Sequence, residues 1–339
     1  MSHTRSFVLR WLAVLAMAAT ASLAVAQTKM ELPSSQTIRL INVNPREKVP
    51  VVSGLALDPT GNLLVTAGDD HLVRLWNARD GQLIRRLAGH ADWVQSAAFS
   101  PNGHVLATAG SDCRILLWET TGDTPFRVLV DNISEISALQ FSPDGRILAA
   151  TGFENKVRLY DGASGQLVLT LDASGPDNRA LAFSPDGASL ASAGRDGRIR
   201  IWETASGKLL HELAAERRVR ALAYSADGTR LASGGEGRSL QVWEMAHETL
   251  LLTLPARPGK VFSLVFCGPT QLASGQSDNV IRVFNLETQS EQYRLVGHTG
   301  SVSSLLWNAQ NATLVSGSFD TTVRLWQLKD KEINTISRR

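Results

Sequence analysis

Apolar and polar residues alternate along most of this chain in runs of strand length, and turn residues break the runs at regular intervals. One stretch shows the grammar. Arg179-Ala180-Leu181-Ala182-Phe183 is followed by Ser184-Pro185-Asp186-Gly187 and then by Ser189-Leu190-Ala191-Ser192-Ala193-Gly194. After Arg195-Asp196-Gly197 come Arg198-Ile199-Arg200-Ile201-Trp202, a turn at Ala205-Ser206-Gly207, and Lys208-Leu209-Leu210-His211-Glu212-Leu213. Four such runs with turns between them predict a small four-stranded antiparallel sheet. Proline presets the first central dihedral of a turn and glycine accepts a positive one, so Ser-Pro-Asp-Gly marks a turn for a physical reason. The same turn returns at Ser142-Pro143-Asp144-Gly145, with variants at Asp58-Pro59-Thr60-Gly61, Ser100-Pro101-Asn102-Gly103 and Ser225-Ala226-Asp227-Gly228. No helical period competes with this pattern, and the chain reads as all-β.

The unit repeats seven times. Its third run closes on an aromatic residue at Trp76, Trp118, Tyr160, Trp202, Trp243, Phe284 and Trp326, so that successive members stand 42, 42, 42, 41, 41 and 42 residues apart. A fixed period of this size identifies units that bury their apolar faces against their neighbours. Seven of them predict one seven-bladed β-propeller of four-stranded antiparallel blades over residues 36–328, although length alone would suggest two domains. Residues 27–35 read as a linker and 329–339 as a tail.

Composition adds a location and removes some partners. Arg5 and Arg10 precede an apolar run from Trp11 to Val25, and Ala24-Val25-Ala26 offers the small residues a signal peptidase requires. Residues 1–26 therefore read as a cleaved signal peptide, with a retained anchor as the alternative, and the expected location is the bacterial periplasm or the secreted fraction. Removing Arg5 and Arg10 from the 34 basic residues leaves 32, equal to the 32 acidic ones. A neutral chain of this kind offers no general attraction to nucleic acid, and none to a membrane once the signal is gone. Cys113 and Cys267 fall in the second and sixth units, which are not neighbours on a seven-unit ring, so no structural disulfide is expected. No Cys or His spacing suits a metal, and neither a metal nor a cofactor is expected.

Over residues 36–328 the chain resembles the WD-repeat β-propeller family. Two units carry the tetrad that family uses, His90, Thr108, Asp112 and Trp118, and again His298, Ser316, Asp320 and Trp326. Other units are partial: Thr66, Asp70 and Trp76, or Ser192, Asp196 and Trp202, lack the histidine, the fifth has Gly237 in place of the aspartate, and the third has Glu154 and Tyr160. A hydroxyl with His and Asp has the composition of a hydrolase triad. A triad, however, needs an exposed nucleophile and room for substrate, and a set that recurs with the repeat is assigned to structure. No catalytic residue is expected.

The resemblance also implies a docking face, formed by residues just before the tetrad aspartate and near the start of each first strand. The former are Asp69, Ser111, Phe153, Arg195, Glu236, Ser277 and Phe319, and the latter include Trp93, Arg179, Arg218, Arg220 and Lys260. Exposed aromatics and arginines dominate binding hot spots, which selects Trp93, Phe153, Arg179, Arg195, Arg218, Arg220, Lys260 and Phe319 as partner-binding candidates. Together with Arg217, the arginines suggest an acidic protein or peptide partner, with Arg195 and Arg220 gripping carboxylates, and the chain is expected to act as a monomer. The innermost strands, such as Gly54-Leu55-Ala56 and Ala180-Leu181-Ala182, are small and apolar, so no ring of acid or base groups is expected at the central channel. The expectation is a noncatalytic interaction scaffold. The alternative is a propeller enzyme, a hydrolase or oxidoreductase, or a small-ligand sensor with its site at the channel. For ring closure, Ile38-Arg39-Leu40-Ile41 within Thr37 to Asn42 is favoured over Glu332-Ile333-Asn334-Thr335-Ile336 as the outermost strand of the last blade.

Overall fold

Seven four-stranded antiparallel sheets follow one another along the chain, spanning residues 54–88, 94–129, 136–172, 178–214, 219–255, 261–295 and 302–327. They are blades 1 to 7. The computed structural model describes residues 35–39, 49–129, 134–173, 175, 177–256 and 258–328, all within the unit that runs from Leu32 to Arg339. Within a blade the strands pair in chain order, with the first innermost and the fourth outermost. Blade 7 differs: its fourth strand is Ser35–Arg39, paired antiparallel with Thr322–Gln327 in a register that sets Ser35 opposite Trp326 and Arg39 opposite Thr322. The N-terminal segment thus supplies the closing strand. It begins one residue earlier than the expected start of the propeller at residue 36. Residues 40–42 and the competing segment 332–336 lie outside the described residues.

Turn chemistry sets the corners. In blade 3, Gly145 takes a φ of 74°, which glycine reaches at no steric cost. Asp144 Oδ1 accepts from Ser142 Oγ at 2.6 Å and from the Arg146 N–H at 3.0 Å, fixing the turn from inside.

The core is distributed between blades. Each buried cluster joins two neighbours: Val65, Leu75 and Leu87 of blade 1 meet Val94, Leu106 and Trp118 of blade 2. Val315 and Val323 of blade 7 meet Leu55, Leu64 and Trp76 of blade 1, which closes the ring. The aromatic residue of the third strand packs on the preceding blade, as Tyr160 does on blade 2, Trp243 on blade 4 and Phe284 on blade 5. A single unit would leave that large side chain in water, which is why the repeat is stable as a ring and not as a monomeric blade.

Candidate functional site

In blade 2 the Trp118 indole N–H donates to Thr108 Oγ1 at 2.8 Å, His90 Nε2 lies 2.8 Å from the same oxygen, and His90 Nδ1 lies 2.8 Å from Asp112 Oδ2. Asp112 also accepts from the backbone N–H groups of Ala91 at 3.0 Å and Arg114 at 3.1 Å. Blade 7 repeats the arrangement with Trp326, Ser316, His298 and Asp320. Thr108 and Ser316 are fully buried, so neither hydroxyl can meet a substrate. Burial alone raises both aspartates, but the histidine hydrogen bonds and the backbone donors outweigh it and hold Asp112 and Asp320 below the ordinary carboxylate value of 3.8.

Four of the five units that lack the histidine, blades 1, 3, 4 and 6, carry an arginine four residues after the acid, whereas blade 5 has Gly237 and Gln241 at these positions. Arg74 Nη1 donates to Asp70 at 3.0 Å, Arg200 Nη2 to Asp196 at 2.7 Å and Arg282 Nη2 to Asp278 at 2.6 Å, while Arg158 pairs with Glu154. These arginines are buried, and a buried guanidinium needs such a partner. The partial tetrads of blades 1, 3, 4 and 6 are therefore complete by another route.

The channel mouth is built from a different feature. The innermost strands of blades 2 to 7 each contain a β-bulge, and the bulged residues are Gln95, Ser137, Arg179, Arg220, Phe262 and Ser303. A bulge leaves one residue unpaired and re-aims its side chain. All six, with Ser53 of blade 1, line a recess of about 470 Å³, which Trp93, Glu135, Phe153, Lys260 and Phe319 complete. The residues around the mouth are thus polar, charged and aromatic. This corrects the expectation from Ala180-Leu181-Ala182 and most of its equivalents: in blades 2 and 4 to 7 the residue lining the mouth is the bulged one just before the small apolar triplet.

Backbone pairing sets the second row of the recess beside the first. The Phe153 N–H donates to the Glu135 carbonyl at 3.0 Å, Glu236 to Arg218 at 3.0 Å, and Phe319 to Ser301 at 3.0 Å. In blades 2 to 5 the second strand ends on a glycine at this close approach, whereas blades 6 and 7 have Gln276 and Ser318. A Cβ on Gly110 would stand 1.9 Å from the Trp93 carbonyl oxygen, and one on Gly152 would stand 1.8 Å from that of Glu135.

Six of the eight partner-binding candidates meet here: Trp93, Phe153, Arg179, Arg220, Lys260 and Phe319 all line the recess. Phe153 and Phe319 are each 40% exposed. The Trp93 and Phe319 rings lie 6.5 Å apart, as do those of Phe262 and Phe319. The Arg179 guanidinium sits 4.1 Å over the Phe153 ring and that of Arg220 5.4 Å over Phe262. Neither Arg218, which is half-buried, nor Arg195, which is exposed, is among the lining residues.

The arginines are not a bare positive surface. Asp177 pairs with both Arg179 and Arg218, and Arg220 donates to Glu236 through Nε at 3.0 Å and Nη2 at 2.6 Å, with Lys260 Nζ 3.9 Å from the same oxygen. Glu236 is held below its ordinary value first by the Arg220 hydrogen bond, against burial, and then by the charges of Arg220, Lys260 and Arg218. Glu135 faces the recess from blade 3, accepting from Gln95 at 3.2 Å and Ser111 at 3.1 Å. Arg179, Arg218, Arg220 and Lys260 thus stand against Glu135, Asp177 and Glu236, an excess of one positive charge. The pairing of Arg195 with Arg220 as twin carboxylate clamps is not what the geometry presents. Sequence reasoning missed Asp177, Glu135, Gln95 and Phe262, and the signal for the bulged set was their own 41- or 42-residue spacing.

Among the described residues no group of three His, Cys, Asp or Glu is placed to hold a metal ion. Cys113 and Cys267 are free, and burial pushes the Cys267 thiol up.

Known families match the chain over both halves. A family model described as the IFT122 first beta-propeller matches residues 135–337, well over half of the chain, and one described as WD domain, G-beta repeat, matches residues 45–77 and 81–119.

Proposed function

The chain belongs to the family of the IFT122 first beta-propeller and carries WD repeats, folds that generally bind protein partners, and from that premise we propose that it is a noncatalytic protein-interaction scaffold that docks its partner at the channel mouth. The observation that carries this reading is the recess itself, where loops and bulges from separate blades bring Trp93, Phe153, Phe262 and Phe319 together with arginines already held in place. Aromatic residues and arginine contribute most of the binding energy at interfaces. Side chains fixed before binding lose little further entropy. The burial of Thr108 and Ser316 supports a structural role for both tetrads.

The partner is a protein or peptide of acidic character, met by the excess positive charge of the mouth, and the scaffold works as a monomer in the periplasm. Arg5, Arg10, the apolar run and Ala24-Val25-Ala26 support export with cleavage after Ala26. Two experiments test the reading. N-terminal sequencing of protein from its native compartment should begin at Gln27, and an intact Met1 terminus in the cytoplasm would overturn the location. Quantitative affinity purification should recover a stoichiometric partner with the unaltered chain and lose it with Phe319→Ser, and equal recovery with both would move docking to another face.

A further inference from the structure

The geometry points to a specific chemistry for that partner, and the inference rests on the docking reading above: the recess takes a linear segment that presents one side-chain carboxylate beside an aliphatic or aromatic residue. The carboxylate seats among Arg179, Arg220 and Lys260, and the apolar side chain lies against Trp93, Phe262 and Phe319.

Four observations lead here. The recess, at about 470 Å³, falls within the range of a small-ligand site, so it holds two or three side chains and not a folded domain. Its lining is divided by blade: the cations come from blades 4, 5 and 6, whereas Trp93 and Phe319 come from blades 2 and 7, touching the cationic arc at Phe262. A ligand that fills both parts must itself be half charged and half apolar.

The cationic part is prepared for an anion. Arg179 is held by Asp177 and lies on Phe153, and Arg220 is held by Glu236 and lies on Phe262, so their guanidinium planes are fixed before any ligand arrives. The two existing carboxylates do not balance the group. Burial, and after it the charge of Arg220, holds Arg179 and Arg218 below the ordinary arginine value. A carboxylate placed between them relieves that repulsion. Lys260 is the loosest member, exposed and 3.9 Å from its partner, and is free to turn toward the incoming charge.

Glu135 sets the limit on acidity. It stands in the recess wall with one oxygen held by Gln95 and Ser111. A second carboxylate reaching that side meets like charge, so a run of acids is disfavoured and one acid next to an apolar residue is preferred.

The test is selection from a random peptide display library on the intact mature protein, followed by binding of the enriched peptides, synthesised with a fluorescent label, at low and high salt. The expected peptides carry Asp or Glu within three residues of Phe, Trp, Leu or Ile. Changing that acid to its amide should weaken binding about tenfold to a hundredfold, the usual cost of one charge-assisted hydrogen bond. Arg179→Gln and Phe319→Ser should each weaken binding to a similar extent, and Lys260→Gln, on an exposed side chain that cannot affect folding much, should reduce it severalfold and flatten the salt dependence. Thermal melts establish that each variant is folded. Peptides without an acid, or peptides bound equally by Arg179→Gln and Lys260→Gln but lost with Phe319→Ser, overturn the carboxylate chemistry and leave the docking face standing. Peptides bound equally by all three variants, or no enrichment at all, overturn both.

Discussion

Removing His90 should destabilise the protein without touching any chemistry, and the size of the effect can be worked from its contacts. The imidazole is buried and bridges Thr108 Oγ1 and Asp112 Oδ2 at 2.8 Å each. In His90→Ala, Thr108 keeps the Trp118 donor and Asp112 keeps the N–H groups of Ala91 and Arg114, so neither is wholly orphaned. The expected loss is about 1–3 kcal/mol, that of one ordinary and one charge-assisted hydrogen bond with partial replacement. Asp112→Ala should cost a similar amount. Because both changes break the same contact, the double variant should lose less than the sum, with a coupling of about 1–2 kcal/mol. Urea melts followed by tryptophan fluorescence give these values, provided the slope m is the same in all four proteins. His247→Ala, whose side chain is exposed, is the control and should stay within about 0.5 kcal/mol. Additive losses for His90 and Asp112 would refute the bridged network, and a stable His90→Ala protein that had lost a catalytic activity would refute the structural assignment.

Three further outcomes follow from the same geometry. Asp112 titrates below 3.8 in the folded chain, so the native state binds fewer protons than the unfolded one there, and its contribution is intact above 3.8 and lost as pH falls through the folded value; the melting-temperature gap between the unaltered chain and Asp112→Asn should hold from pH 7 to 5 and narrow below about 4, and a constant gap at lower pH would contradict this. Deleting residues 27–43 removes the strand paired with Thr322–Gln327, at about 1 kcal/mol for each backbone hydrogen bond lost, and exposes an edge that aggregates; deleting residues 331–339 should be mild, and melts of the two truncations in the reverse order would show the closure to be wrong. Gly110→Ala places a methyl 1.9 Å from the Trp93 carbonyl and should cost about 1–3 kcal/mol by overpacking, whereas Gly122→Ala, whose nearest neighbour would be at 3.5 Å, should be close to neutral in the same melts.

The repeat made the ring legible. Trp76, Trp118 and their equivalents recur because each packs on the preceding blade, and a packing need that recurs leaves a spacing that can be counted. The closing strand was legible as well, since Ile38 and Arg39 follow the pattern of the outer strands. The mouth was not. A bulge shifts the side-chain period by one residue, so a reading that took Ala180-Leu181-Ala182 and its equivalents as the channel lining overlooked Arg179 as a member of a ring. Arg74, Arg158, Arg200 and Arg282 look solvent-facing on a strand, and only the pairing with the acid four residues earlier explains their burial. Asp177, which pairs with both Arg179 and Arg218, sits in a loop with a φ of 67° and belongs to no motif, so its position could come only from the folded chain.

Docking at the channel mouth can be read out by site-specific photocrosslinking in the native host. A photoreactive residue replaces Phe319 at the mouth, or Phe126, which is exposed on the outermost strand of blade 2, in otherwise identical chains. One discrete crosslinked species is expected from position 319, weakened when Arg220→Gln is added, and none of that species from position 126. A partner captured from position 126 and not from 319 would contradict docking at the mouth.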